Sequence, residues 1–392
     1  MQQTPISRGT ALTTPPNQPA NITRTNIQNH SNANFNKILN DKKGEDSAWL
    51  KTINLWSDDA RDSDGHTLLH VAAFTGSIAY VEAILNLIES DRLVEFCSIL
   101  TIRDRKTALC VACEQGHLPI VQKLFDLTKV STDVKPFYAP IHVAAMNGHV
   151  DIVKYLVQEK HQNVNSQEDI YGFTPLHLAA QYGQVEMVNV LIDELGANKN
   201  LACKTERMLP IHTAIFNNNL EVLKALVHRH SKDEQQEHSK SYEKLVNDHI
   251  HINPLLLAIA NTQENHTSPE TLKASSEMVK FLVNELSADY SLRGNNGVSA
   301  LHMASEAGNC DLINFFVKEK NEQVNQVSDV THETPLYLAA VNDHLEAVQL
   351  LVSLGADRSI KNWKGFSVVD TLKELSSKSE SLNKIYEFLS KQ

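Results

Sequence analysis

Features that mark secreted, membrane-spanning and nucleic-acid-binding proteins are scarce in this 392-residue sequence. It has only five cysteines, irregularly spaced, so no disulfide framework is predicted. Acidic residues (47) outnumber Lys and Arg (36), the formal net charge is −11, and no basic stripe with interleaved aromatic residues occurs. This charge balance disfavours nucleic acid and anionic membranes as partners. No apolar run approaches the roughly 18 to 20 residues of a transmembrane helix, so membrane insertion is not expected.

Catalytic motifs are missing as well. We find no Gly-rich phosphate loop followed by Lys and Ser or Thr, no protein-kinase signature, no Gly-x-Ser-x-Gly and no His-Glu-x-x-His. The sequence therefore predicts a protein without catalytic residues, without a cofactor and without enzymatic activity. Because the chain also lacks the hydrophobic centre of a secretory signal, we expect a reducing, cytoplasmic location.

The sequence does contain a recurring tetrad of the form Thr-Pro-Leu-His, best preserved from Thr174 to His177. Further copies, most of them degenerate, begin at Thr67, Thr107, Ala139, Leu209, Asn253, Ser299 and Thr334, with a partial copy near Ser367. Most neighbouring copies lie 32 to 35 residues apart, and the others lie 40 to 46 apart. A period near 33 residues indicates a stack of repeated units.

Each unit has the pattern of a turn followed by two helices, most clearly between residues 169 and 197. Thr174 suits the N-cap of the first helix, and Pro175 suits its first position, where a missing N–H costs nothing. The second helix carries an apolar stripe at helical spacing: Val185, Val188, Leu191 and Ile192. One unit cannot bury this stripe alone, so neighbouring units must stack.

The tetrad, the alanine pair Ala179-Ala180 and the period resemble those of the ankyrin repeat family, over residues 62–375. This resemblance implies an all-α fold, a solenoid of about eight to nine helix-turn-helix units with β-turn fingers. It also implies that the fingers and first helices line a concave face that binds proteins. The expected function is a non-catalytic scaffold or adaptor for protein–protein interaction.

The flanking segments and two insertions complete the predicted organisation. Residues 1–44 are rich in Asn, Gln, Thr and Pro and are predicted to be a disordered arm. Residues 45–61 are predicted to form a capping helix, and residues 376–392 a C-terminal helix and tail. Insertions at about 228–247 and 261–275 lengthen repeats five and six; each is either a tolerated surface loop or a functional one.

Repeated histidines and a Cys-x-x-Cys pair could suggest chemistry. The histidines occupy the fourth tetrad position, where the resemblance implies hydrogen bonds to turn backbone: His70, His142, His177, His212 and His302. Cys110 and Cys113 have no second cysteine pair at zinc spacing, so we interpret them as helix-packing residues.

A histidine-rich segment is the one candidate metal site. His228, His230, His238, His249 and His251 cluster with three acidic residues, Asp233, Glu234 and Glu237. Imidazole and carboxylate groups can bind zinc, and a hidden metal hydrolase would depend on this segment alone. Because no tetrahedral ligand spacing is evident, we predict no metal ligands here.

The family's register separates stacking positions from exposed ones, and repeats three to five are expected to expose an apolar and aromatic patch. The predicted partner-binding residues are Tyr138, Met146, Ile170, Tyr171, Phe173, Gln181, Tyr182, Met208 and Phe216. Polar finger residues of repeats one, two and seven would form its rim, among them His66, Asp104 and Lys106. An aromatic centre with a polar rim is typical of a protein-binding surface. The other interpretation is that neighbouring fingers cover these rings.

Two other functional classes remain open at this point. A type IV secreted bacterial effector would act on ubiquitin, trafficking or transcription machinery in the host cytosol, and the Ser- and Glu-containing tail weakly resembles such secretion signals. A ubiquitin-ligase adaptor would need an F-box or a suppressor-type box, and we recognise neither. A monomer that binds an unidentified protein partner is the expected state.

Overall fold

The computed structural model describes residues 50–51, 54–55, 60–128, 136–205, 207–228, 253–260, 269–294, 297–376 and 379–391. Within these residues the fold is all-α and contains no β-strand; an isolated antiparallel bridge joins Arg61 and Thr67. The α-helices are α1 Leu68–Thr75, α2 Ile78–Leu85, α3 Leu93–Cys97, α4 Ala108–Gln115, α5 Leu118–Leu124, α6 Pro140–Met146, α7 Val150–Lys154, α8 Pro175–Gln181, α9 Val185–Asp193, α10 Pro210–Phe216, α11 Leu220–His228, α12 Pro254–Ala260, α13 Pro269–Asn284, α14 Ala300–Glu306, α15 Cys310–Asn314, α16 Pro335–Val341, α17 Leu345–Ser353, α18 Val368–Leu375 and α19 Glu380–Ser390.

Three of these helices continue into shorter turns of different pitch. A 3-10 turn, Phe125–Leu127, follows α5, and π-helical turns follow α7 and α15 at Tyr155–Glu159 and Phe315–Glu319. None of the helices in the described ranges has the length and apolarity needed to cross a bilayer.

The contacts divide the chain into two units, Met1–Ile211 with His228–Asp233, and His212–Val227 with Glu234–Gln392. In the N-terminal unit the first helices α1, α4, α6 and α8 pack in sequence, and α2, α5, α7 and α9 form a second layer. In the C-terminal unit the first helices are α12, α14, α16 and α18, and the second layer is α13, α15, α17 and α19. Each unit is therefore a stack of helix pairs, as the period predicts.

Several flanking predictions fall on residues outside the described ranges. The arm 1–44 lies outside them, as does most of the 45–61 segment, although Leu50 and Leu55 are described and buried. The 228–247 insertion lies outside them after His228. Of the 261–275 insertion, residues 269–275 form the start of α13 rather than a loop, with Ser275 buried and its hydroxyl donating to the Ala258 carbonyl at 2.9 Å.

The tetrad begins each first helix by a capping arrangement. In α8, the Thr174 hydroxyl accepts a hydrogen bond from the His177 backbone N–H, and His177 Nδ1 accepts one from the Thr174 N–H at 3.2 Å. Ser299 and His302 repeat this capping box at the start of α14. Such caps satisfy N–H groups that a helix end otherwise leaves unpaired.

In three of the tetrad histidines the other ring nitrogen joins one repeat to the next. His70 Nε2 bonds the Lys106 carbonyl at 3.1 Å, His177 Nε2 the Met208 carbonyl at 2.9 Å, and His302 Nε2 the Glu333 carbonyl at 3.0 Å. These contacts agree with the structural role that the sequence predicts for these histidines.

His142 departs from this pattern because its repeat begins with Ala139 instead of Thr or Ser. Its Nε2 still bonds the Ser166 carbonyl at 2.9 Å, but its buried Nδ1 has no hydrogen-bond partner within the described residues. Alanine has no hydroxyl to offer, so repeat three lacks part of the cap.

A second periodic set of polar residues, which the sequence analysis missed, lies just before the second helices. His117, His149, Gln184 and His344 each bond a carbonyl of the preceding repeat, at 2.8 to 3.3 Å. Each covers a glycine of that repeat so closely that a Cβ there would lie within 2.7 Å of the side chain; the glycines are Gly76, Gly116, Gly148 and Gly308. The sequence signal was a polar residue recurring at the turn between the two helices.

Candidate protein-interaction surface

The finger of repeat four, residues 168–173, is the turn that precedes α8, and a buried carboxylate holds it in one conformation. Glu168 is 4 % exposed and accepts hydrogen bonds from the backbone N–H groups of Ile170, Tyr171 and Phe173 at 2.6, 2.7 and 2.9 Å. Its own N–H donates to the Phe173 carbonyl at 3.0 Å, which closes the turn. Charge-assisted bonds of this kind are stronger than neutral ones, so this finger is well ordered.

The next finger is bonded to it through the backbone. The Lys204 N–H donates to the Tyr171 carbonyl at 2.8 Å, and the Gln167 amide donates to the Gly172 and Ala202 carbonyls, both at 2.9 Å. Gly172 has a φ of +76°, and a Cβ there would lie 2.6 Å from the Lys204 backbone nitrogen. Only glycine fits at this crossing, since both the left-handed conformation and the close approach exclude a side chain.

Three tyrosines from repeats three and four come close together at this finger. Tyr138 precedes α6, Tyr171 lies in the finger, and Tyr182 follows α8; all three are partly exposed. Burial raises the pKa of the Tyr138 phenol, and the nearby Glu168, Tyr182 and Tyr171 raise it further. Burial also raises the pKa of Tyr182. The phenols of Tyr138 and Tyr182 therefore stay neutral at neutral pH and can act as hydrogen-bond donors.

Ile170 and Gln181 complete this surface. Ile170 is 45 % exposed at the finger tip, and Gln181, the last residue of α8, is partly exposed. We call these two residues, together with Tyr138, Tyr171 and Tyr182, the tyrosine surface.

Three other predicted contact residues are buried, and the expectation that they are exposed is wrong. Phe173 is 3 % exposed because its ring stacks between the rings of Tyr171 and His177, with centroids 5.7 and 5.5 Å away. Met208 and Met146 are also buried, and their carbonyls accept the bonds from His177 and Gln184 that join repeats. These three residues therefore pack beneath the exposed side chains or join neighbouring repeats, and are not themselves available to a partner. Phe216 is partly exposed and ends α10; it is assigned to the C-terminal unit.

The predicted polar rim of repeats one and two is also partly wrong, because Lys106 and His66 are each 6 % exposed. The Lys106 ammonium donates to both Glu114 carboxylate oxygens, at 2.9 and 3.0 Å, and lies 3.2 Å from Asp104. His66 Nδ1 bonds Asp62 at 2.7 Å. Lys106 is thus paired with Glu114 and Asp104, and His66 is bonded to Asp62, so neither side chain faces a partner.

The pKa values of the two acids beside Lys106 move in opposite directions. For Glu114 burial dominates and raises the pKa in spite of the ammonium. Burial also acts to raise the pKa of Asp104, but Lys106 and the Thr101 hydroxyl outweigh it and lower that pKa. Repeat two therefore contains a buried ion pair whose members depend on each other.

The Cys-x-x-Cys pair packs in α4, as the sequence predicts. Cys110 takes the tetrad histidine position, and its thiol bonds the Tyr138 carbonyl at 3.7 Å, which parallels the histidine bonds of the other repeats. Burial raises the pKa of Cys110 and that of Cys113.

Within the described residues, no group of three or more His, Cys, Asp or Glu side chains is arranged to hold a metal. The histidine-rich segment after His228 lies outside the described residues.

Several exposed apolar finger residues were not among the predicted contact residues. Trp363 is 63 % exposed and Val330 is 61 % exposed, both in the last fingers of the C-terminal unit, and Phe366 beside them is also exposed. Ile102 and Phe137 are exposed in the N-terminal unit. Their signal in the sequence was an apolar residue in a segment otherwise composed of turn-forming residues.

Comparison with known proteins agrees with this architecture. A family description, ankyrin repeats (3 copies), matches residues 42–136, 127–203 and 271–362. Human BCL-6 corepressor-like protein 1 is 34 % identical over 107 residues, 26 % of this chain and 6 % of that protein. The Drosophila melanogaster transient receptor potential cation channel subfamily A member 1 is 35 % identical over 106 residues, 25 % of this chain and 8 % of that protein. The chain thus matches only a small part of either relative.

Two solved structures are also similar. The human ASB11 ankyrin repeat domain has a TM-score of 0.45 and 21 % identity, over 63 % of this chain and 98 % of that one. The ankyrin repeat domain of Bcl-3 has a TM-score of 0.44 and 20 % identity, over 64 % of this chain and 98 % of that one. With the family description matching well over half of the chain, and with helix pairs capped and joined at the period of the tetrad, the chain belongs to the ankyrin repeat family.

Proposed function

We propose that the N-terminal unit binds a partner protein through the tyrosine surface and acts as a non-catalytic scaffold or adaptor. Ankyrin repeats are generally protein-interaction modules, and the choice of this surface depends on the residues of this chain. The observation that carries it is the ordered finger of repeat four. Its buried Glu168 holds Ile170 and Tyr171 at the surface through backbone bonds of 2.6 and 2.7 Å.

Order of this kind favours binding because less conformational entropy is lost when the partner docks. Tyrosine is suited to such contacts, since a large ring and a hydroxyl are presented with few rotatable bonds. Each of these tyrosines is at most about a third exposed and has up to roughly 80 Å² left to bury, which corresponds to at most about 2 kcal/mol at about 25 cal/mol per Å². Two such rings are enough to dominate an interface.

The partner expected from this surface is an extended segment or a surface loop with apolar side chains. Its polar groups can bond the phenols of Tyr138 and Tyr182 and the Gln181 amide. If the tyrosine surface binds the partner, truncating the side chains of this surface should abolish binding of that partner. The fold of the truncated protein should remain intact.

The test is proximity labelling or pull-down from a eukaryotic lysate with the full chain and a variant carrying Ile170→Ala, Tyr171→Ala and Tyr182→Ala. The matched control carries Ile78→Ala and Leu87→Ala, two exposed apolar residues of the same unit that lie in and after α2, away from the fingers. Circular dichroism and thermal melting establish folding of both. We expect partners to be lost only from the triple variant. Equal capture by all three proteins would contradict the proposal.

A further inference from the structure

The two units contain matching finger modules 160 residues apart in the sequence. The π-helical turns Tyr155–Glu159 and Phe315–Glu319 are separated by this interval, and so are the helix pairs α8–α9 and α16–α17. The exposed finger-tip residue Ile170 corresponds in this register to Val330. The finger that carries Val330 in the C-terminal unit therefore corresponds in register to the finger of the tyrosine surface in the N-terminal unit.

The chemistry of the second finger pair differs from that of the first. In the N-terminal unit the residue bonded to the finger carbonyl is Lys204; in the C-terminal unit it is Trp363, whose N–H donates to the Thr331 carbonyl at 3.1 Å. This bond places Trp363 beside the finger that carries Val330. Phe366 follows in the same turn, so three exposed apolar side chains, Val330, Trp363 and Phe366, are grouped on adjacent fingers.

The last finger, residues 362–366, is ordered by Asn362, whose side chain bonds the turn backbone as Glu168 does in repeat four. Its side-chain oxygen accepts from the N–H groups of Lys364 and Phe366 at 3.0 and 3.1 Å, and its amide donates to the Tyr337 hydroxyl at 3.3 Å. Tyr337 stands at the tetrad histidine position of repeat eight. The exposed aromatic tip is thus held in place in the absence of a partner.

Two exposed lysines flank the tryptophan. Lys361 and Lys364 lie on either side of it in the chain, and the Lys364 ammonium is 5.3 Å from the Trp363 ring centroid. Asp329 in the neighbouring finger is paired with Arg293 at 3.4 Å, and burial raises the pKa of Glu333. Two carboxyls lie near the lysines: hydrogen bonds from Ser367 lower the pKa of Asp370 and Lys361 lowers it further, while Lys364 acts on Glu333 against the effect of burial. Within the described residues neither lysine forms an ion pair of 4 Å or less, so both ammonium groups can approach carboxylates of a partner.

We infer that Val330, Trp363, Phe366, Lys361 and Lys364 form a second docking surface, for an extended acidic segment of a partner protein. An aliphatic or aromatic side chain of that segment packs on Trp363, and carboxylates on either side of it pair with the two lysines. Trp is among the residues most enriched at binding hot spots, and complementary charge selects the partner. This surface shares no residue with the tyrosine surface and does not depend on the proposed function of that surface.

The test is selection of random peptides displayed on phage against the immobilised full chain, followed by fluorescence anisotropy of the enriched peptides. We expect enrichment of peptides with an apolar residue between Asp or Glu residues. Trp363→Ala should weaken their binding at least about tenfold, and Lys361→Glu with Lys364→Glu should do the same. Added salt should weaken binding to the wild type. The triple variant of the tyrosine surface is the control and should bind them like the wild type.

Other outcomes would overturn the inference. They are enrichment of basic or uncharged peptides only, absence of any enriched peptide, and enriched peptides whose affinity is the same for wild type and Trp363→Ala. Sedimentation of the full chain and of Trp363→Ala covers the alternative that a second copy occupies the surface. Dimerisation that the substitution abolishes would assign the surface to self-association. Competition of residues 1–44, added as a peptide, with the acidic peptides would assign it to the chain's own arm.

Discussion

Replacing His302 by Gln should flatten the pH dependence of stability in the C-terminal unit. The pKa of this histidine is lowered from 6.5 to about 4, chiefly by burial and also by the charge of Arg293, against the opposing bond to the Glu333 carbonyl. The neutral ring accepts the Ser299 N–H at Nδ1 and bonds the Glu333 carbonyl at Nε2. A proton on Nδ1 would face the Ser299 N–H and break the cap, so the folded state resists protonation.

The sign and size of the effect follow from linkage. Below pH 6.5 the unfolded chain takes up a proton at this position, and the folded chain does not until about pH 4. Stability therefore falls as the pH falls through this window. At about 1.36 kcal/mol per pH unit the full loss is about 3.4 kcal/mol, of which about 2 kcal/mol is lost between pH 7 and pH 5.

The assay compares urea unfolding of the wild type and His302→Gln at pH 7 and pH 5, followed by circular dichroism. At pH 7 the variant should be less stable by about 1 to 2 kcal/mol, because it loses well-aligned hydrogen bonds. At pH 5 that difference should shrink or reverse by about 2 kcal/mol, because the wild type alone carries the penalty of this histidine. The His302 ring resonance, assigned by its loss in the variant, should not titrate between pH 7 and pH 5. Parallel pH dependence in the two proteins, or a ring that titrates near pH 6.5, would refute the reasoning.

Three further predictions concern the N-terminal unit and the thiols. Glu114→Ala should destabilise by about 3 kcal/mol, because the buried Lys106 ammonium loses both bonds to Glu114 and keeps only Asp104 at 3.2 Å, and adding Lys106→Met should recover part of this loss in urea unfolding. Gly172→Ala should lower the melting temperature more than Gly196→Ala; both have positive φ, but a Cβ at Gly172 would meet the Lys204 backbone, whereas none lies within 4 Å at Gly196. Equal effects would contradict that packing. A thiol reagent should modify Cys113 only after unfolding, because burial raises its pKa well above the usual value, and rapid modification in the folded protein would contradict this.

Much of the fold could be predicted because its determinants are local. The Thr174 cap, Pro175 at the first helical position and the spacing of the apolar stripe act within one or two turns of helix, and each is readable in the sequence. Their recurrence at a fixed period then requires stacking, since no unit buries its stripe alone. The role of the tetrad histidines followed from the same repetition.

Exposure at the fingers could not be predicted, because it depends on the neighbouring repeat. Phe173 and Tyr171 are two residues apart in one turn, yet the first is buried between rings and the second reaches the surface. Lys106 lies in a finger, and only the fold shows that its ammonium is paired with Glu114, which lies near the end of the following helix α4. In a helix or strand the spacing of apolar residues shows which face is buried. A turn has no such period, so the sequence does not show which of its side chains point outward.

The repeat, its helices and the family of the chain can be read from the residue order alone, because capping, helical periodicity and alanine packing act over short distances along the chain. Which finger residues face outward is settled by the packing of neighbouring repeats. That choice depends on where an adjacent finger crosses, through bonds such as Lys204 to Tyr171 and Trp363 to Thr331, each joining residues more than 30 positions apart. The tyrosine surface and the tryptophan-centred surface are products of those crossings.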